Sequence, residues 1–87
     1  MATGIVVHPR VLSRHPEISE EDVVAALKNA VAIVNRTYDP PDIYAAAGAD
    51  RKGRMLEVLG VEMDDGRFLV YHAMKLTAKM GRELGLG

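Results

Sequence analysis

The chain has 87 residues, 48% of them hydrophobic and 26% charged, with eleven Lys and Arg against twelve Asp and Glu. That is the composition of one small globular domain, spanning 1–87, without the basic excess of a dedicated nucleic-acid binder. The absence of cysteine excludes disulfides and Cys-based zinc sites, and no apolar run approaches the roughly 18 residues that a membrane span requires.

Met1 to Val7 carries neither a cationic n-region nor a long apolar stretch, so the sequence predicts no signal peptide and a cytoplasmic protein. From His8 to Asn35 the pattern reads as helical. Pro9 suits a first helical position, and Pro16 ends that short helix near Arg14 or His15. Ser19 is a good N-cap for a second helix, because Glu20, Glu21 and Asp22 fill the first turn, where the helix dipole favours anions. Val23, Leu27, Ala30, Val31 and Val34 recur at helical spacing, so the helix is expected to run from Ser19 to Val34.

Asp39-Pro40-Pro41-Asp42 marks a loop, with a strand near Ile33–Tyr38 as an alternative ending for the helical stretch. Ile43 to Asp50 fits a strand, Arg51-Lys52-Gly53 a hairpin turn, and Asp65-Gly66 the strongest short-range hairpin signal in the chain. The runs from Arg54 to Met63 and from Arg67 to Met74 are apolar on both faces, as central strands covered on each side are. A C-terminal helix follows, anchored by Leu76, Met80 and Leu84 and weakened by Gly81 and Gly85. The expected fold is α+β: two N-terminal helices on a twisted antiparallel sheet of three to four strands, with a short C-terminal helix.

The candidate chemistry lies in the last third. On a helix, Lys75, Lys79 and Arg82 would place three cations on one stripe, with His72 just upstream at the strand end. A histidine beside such a stripe can bind a phosphodiester and move its proton. The alternative is a partly buried strand histidine beside a solvated basic helix. Acid gathers in Glu17–Asp22 and base in Arg51–Arg54 and the tail, so the charges segregate despite a net charge of −1. His8 and His15 make no metal set across Pro16, Gly48 and Gly53 sit at turns rather than in a phosphate loop, and the sequence predicts no metal and no cofactor. Tyr38, Tyr44, Phe68 and Tyr71 form no stacking array for single strands.

Three segments, taken in order, carry a resemblance. Arg14-His15-Pro16-Glu17-Ile18-Ser19-Glu20-Glu21-Asp22-Val23 resembles the K-H-G-(I/V)-S-x-E-(E/D) opening of BrnT-like toxins, small members of the RelE/ParE superfamily from bacterial type II toxin–antitoxin systems. Gly48 to Val58 resembles that family's G-x-x-x-x-G-R-x-L-x-V hairpin, and Val70 to Thr77 its closing I-I-S-A-R-x-A-T strand. His72 stands where the family carries serine, and Met74 where it carries arginine. The resemblance implies a RelE-like fold, metal-independent ribonuclease activity on mRNA or at the ribosome, and a partner antitoxin. Such cleavage needs a base, an acid and cations for the transition-state charge. The residues expected to supply them are His72, Lys75 and Arg54, with Arg51, Lys52, Lys79 and Arg82 binding RNA. The competing expectation is a non-catalytic interaction module that binds a protein partner or a second copy of itself, with no membrane contact.

Overall fold

In the computed structural model, which describes residues 4–36 and 42–86, the chain runs β1 (Ile5–Val7), α1 (Pro9–Arg14), α2 (Glu20–Lys28), β2 (Ala30–Asn35), β3 (Ile43–Ala49), β4 (Met55–Glu62), β5 (Phe68–Lys75) and α3 (Ala78–Glu83). The strands form one mixed sheet of five, ordered β1-β5-β4-β3-β2, with β1 parallel to β5 and every other neighbour antiparallel. This corrects the expected antiparallel sheet of three to four strands and, with it, the RelE-like description. Two short segments make the difference. Ile5–Val7 adds a parallel edge, and Ala30–Asn35 leaves the helix and becomes the opposite edge.

The helix from Ser19 therefore does not reach Val34. Its N-terminus is as expected: the Ser19 hydroxyl accepts from the Asp22 amide at 3.1 Å, and the Asp22 carboxylate accepts from the Ser19 amide at 3.0 Å. Asn29 caps the other end, its amide donating to the Ala25 carbonyl at 2.9 Å. Beyond it the β-branched Val31, Ile33 and Val34 favour extended backbone. Their exposure alternates with period two, so the spacing of Ala30, Val31 and Val34 that mimics a helical stripe belongs to a strand. A bulge between Ala30 and Ala32 shifts the register of β2 against β3.

α1 and α2 cover one face of the sheet. Val7, Val11, Ile18, Val23, Ala26, Leu56, Val58, Val70 and Ala73 form its core. β3 approaches α2 so closely at Gly48 that a methyl group there would overlap the Ala26 carbonyl. The other face is covered by α3, with Met80 and Leu84 packed on Ala45 and Ala47 and flanked by Leu59 and Leu76. The expected tail anchors thus hold, but the tail is shorter than expected. β5 continues through Lys75, and Thr77 is the N-cap of α3, its hydroxyl accepting from the Met80 amide at 3.2 Å. Lys75 is consequently a strand residue and shares no helical stripe with Lys79 and Arg82.

The proline loop at Asp39, Pro40 and Pro41, together with Tyr38, lies outside the described residues. The radius of gyration, 12.1 Å, is that of a compact chain of this length. Among the described residues no helix is long and apolar enough to cross a membrane.

Candidate functional site

A bulge in β5 decides where His72 points. β5 pairs Val70 with Gly60 and His72 with Leu59, leaving Tyr71 unmatched. Val70 and Ala73 consequently both face the α1–α2 core, while His72 turns to the face that α3 covers. Glu57, two residues before Leu59, projects from β4 on the same side. Its carboxylate lies 2.9 Å from His72 Nε2 through Oε2. Through Oε1 it accepts from the Thr77 amide at 2.9 Å and the Thr77 hydroxyl at 2.7 Å. Glu57 is 4% exposed, whereas the His72 side chain is 30% exposed. Burial pushes the Glu57 carboxyl up, but the Thr77 hydroxyl, the His72 imidazole and the Thr77 amide together override it and hold it below the usual glutamate range.

The expected cationic residues divide into two groups. Arg54 and Arg51 serve the fold. Arg54 reaches the Asp50 carboxylate at 2.7 Å, the Glu17 carbonyl at 3.1 Å and the Asp22 carboxylate at 3.3 Å. Arg51 reaches the other Asp22 oxygen at 3.2 Å and the Ser19 hydroxyl at 3.2 Å. Asp22 and Asp50 are both buried, so these contacts fasten the N-terminus of α2 to the β3–β4 hairpin. The Asp50 carboxylate also accepts from the Lys52 and Arg54 amides at 2.8 Å each, which shapes the turn. Arg54 leaves β4 toward α2, away from His72.

Lys52, Lys75, Lys79 and Arg82 are exposed and form no ion pair among the described residues. Lys75 pairs with Leu56, so its side chain starts on the α1–α2 face, opposite the His72 face, at the last position of β5. That end, where β3 and β5 finish and β4 begins, carries Lys52, Lys75 and, at the start of α3, Lys79. The opposite end carries Asp42, Glu62, Asp64 and the Asp65–Arg67 pair. Arg82 lies further along α3, next to Glu83, which pairs with Arg36 at 2.7 Å and ties α3 to the end of β2.

Sequence reasoning singled out His72 and missed Glu57 and Thr77. A signal was present: Glu57 is the only ionisable residue in Met55-Leu56-Glu57-Val58-Leu59, a run apolar on both faces. A carboxylate at such a position needs donors. A second feature is a groove of about 380 Å³ on the α1–α2 face, lined by Ile5, Leu27, Ile33, Tyr44, Ala46 and Phe68 with Glu62 at its rim. Val31 and Ile33 on the edge strand beside it are 64% and 62% exposed. No three His, Asp or Glu side chains converge as a metal site among the described residues. Compared with known proteins, the chain matches no family model, no curated protein and no solved structure.

Proposed function

We propose that this protein is a toxin-like, RNA-directed component of a bacterial type II toxin–antitoxin system, cleaving RNA without a metal and restrained by a partner antitoxin. One observation carries the reading: unpaired cations collect at one sheet end, with the half-exposed His72 on the strand that leads to it. Lys52, Lys75 and Lys79 offer charge to a phosphate backbone, and His72 offers an imidazole that can take and return a proton. Arg54 and Arg51 act in this scheme by holding the hairpin that presents Lys52. The ordered resemblance to BrnT-like toxins from Arg14 onward points the same way.

The test is induced expression together with incubation of the purified protein and a labelled RNA oligonucleotide in EDTA. Growth arrest and cleavage are expected for the wild type, with both lost in His72→Ala and reduced in Lys75→Ala/Lys79→Ala. Intact RNA with the wild type, or full cleavage by His72→Ala, refutes the assignment.

A specific observation favours a second reading, the non-catalytic interaction module. Edge strand β2 exposes Val31 and Ile33 beside an apolar groove whose rim is acidic at Glu62. An extended partner segment with apolar anchors and a Lys or Arg facing Glu62 suits such an edge. Binding of an antitoxin candidate from a neighbouring reading frame should protect the β2 amides from hydrogen exchange and fail with Ile33→Asp. Unchanged exchange across β2 in the complex excludes this surface.

A further inference from the structure

We infer that Glu57 is a positioning residue that fixes the tautomer of His72, so that Nδ1 is the atom that takes the 2′-hydroxyl proton of an RNA strand. The inference rests on the ribonuclease reading above and names the working atom and its support.

Three observations lead there. First, the His72 side chain has one hydrogen bond, from Nε2 to Glu57 Oε2 at 2.9 Å, and no buried side-chain nitrogen or oxygen among the described residues lacks a partner. Nδ1 therefore reaches solvent. Second, Glu57 is buried and accepts from the Thr77 amide, the Thr77 hydroxyl and His72. An ionised carboxylate only accepts, so Nε2 must be the donor. In the neutral ring the lone pair is then on Nδ1, directed away from the acid. Third, Glu57 is itself immobilised, because Thr77 binds its other oxygen from the N-cap of α3. A buried carboxylate that orients an imidazole is the arrangement a general base requires.

The step balances without a metal or an oxidant. The O2′–H bond breaks, and its proton goes to Nδ1. The O2′ electron pair attacks phosphorus, the P–O5′ bond breaks, and the departing O5′ takes a proton from water. The products are a 2′,3′-cyclic phosphate and a 5′-hydroxyl, and His72 returns its proton to solvent. A strand without 2′-hydroxyls gives no reaction. The cations at the sheet end hold the flanking phosphates.

The test reads the ring before it reads the reaction. Long-range ¹H–¹⁵N correlation on labelled wild-type protein, with His72 assigned through His72→Gln, should show the neutral ring protonated at Nε2 alone. Glu57→Gln, close in shape, should give mixed tautomers with the circular dichroism unchanged. Thr77→Val, which removes a donor from the Glu57 oxygen remote from His72 together with the α3 cap on the Met80 amide, should keep the Nε2 tautomer. On an RNA oligonucleotide in EDTA, Glu57→Gln should lower kcat about 10²-fold with little change in KM. The same oligonucleotide in 2′-deoxy form should remain intact.

A wild-type ring protonated at Nδ1 overturns the inference without recourse to any variant. So does an unaltered tautomer in a folded Glu57→Gln protein. Cleavage by the wild type with a free tautomer removes Glu57 and leaves the ribonuclease reading standing. A locked tautomer with no cleavage removes the ribonuclease reading, and the catalytic role of Glu57 falls with it.

Discussion

Replacing Asp22 by asparagine removes the charge on which the N-terminus of α2 and the β3–β4 hairpin converge. The carboxyl of Asp22 is lowered from 3.8 to about 2. The Ser19 amide contributes most, burial opposes it, and the Ser19 hydroxyl and Arg51 add to the lowering. A depression of nearly two units corresponds to at most about 2.5 kcal/mol of linked stability at 1.36 kcal/mol per unit. Arg51 is more than half exposed, so solvent screens its share and about 1–2 kcal/mol is the working figure. The sign follows from the direction of the shift. A carboxyl whose folded pKa lies below its unfolded value contributes stability that is complete above about pH 4 and is lost as the pH falls through about 2. In Asp22→Asn the amide oxygen still accepts from Ser19, but Arg51 and Arg54 lose a charged partner. At neutral pH the variant should lose about 1–2 kcal/mol, a fall in Tm of roughly 5–15 °C for a domain of this size. Thermal unfolding followed by circular dichroism from pH 7 to pH 2 should show the two curves converging below pH 4. A residual slope remains in the variant, because Asp50 and Glu57 are also lowered. Equal stability at neutral pH, or curves that stay parallel down to pH 2, refutes the reasoning.

Two further substitutions test the packing. Gly48→Ala forces a methyl group into the Ala26 carbonyl and must push α2 off β3; urea unfolding should show a loss of about 1–3 kcal/mol. Met80→Ala removes the main anchor of a six-residue helix on Ala45 and Ala47. A loss of about 2–3 kcal/mol is expected, with hydrogen exchange rising first in α3.

What the sequence made legible was local. Pro9 at the first helical position, the Ser19–Asp22 capping box and the turns at Arg51–Gly53 and Asp64–Gly66 are each fixed by neighbours within a few residues. The inner face of α3 was legible from the spacing of Met80 and Leu84, although their partners Ala45 and Ala47 are distant in sequence. The misreadings share an opposite cause. Ala30, Val31 and Val34 fit both a helical stripe and a strand, and the choice is made by β3, which supplies the partners of β2. Ile5–Val7 is a strand because β5, more than sixty residues later, offers a parallel edge. The site divides in the same way. His72 was visible as a residue type, but its pairing with Glu57 depends on a bulge at Tyr71 that no local pattern announces. Arg51 and Arg54 looked like a basic patch because Asp22, their shared partner, lies 29 and 32 residues away in sequence.

The net charge of −1 argues less against a polyanion surface than it does at first reading. Charge acts on a phosphate only within about a Debye length, about 8 Å at physiological ionic strength. β4 runs from Met55 beside the cationic end to Glu62 beside the acidic one. Seven steps at about 3.3 Å separate those ends by about 23 Å, nearly three Debye lengths. Asp42, Glu62 and Asp64 are therefore screened from a phosphate at Lys75. Of the acids nearer to hand, Asp22 and Asp50 are engaged by Arg51 and Arg54, and Glu57 by Thr77 and His72, whereas Glu20 and Glu21 in the first turn of α2 stay exposed. Two arginines that looked like ligand-binding groups thus neutralise the buried aspartates beside the site, and the local field is set by the exposed lysines against Glu20 and Glu21. Reversing Lys75 to glutamate should weaken RNA binding and flatten its salt dependence more than reversing Arg67, at the opposite sheet end, changes either. Equal effects of the two reversals, read as the slope of log Kd against log salt, would mean that total charge and not its placement governs binding.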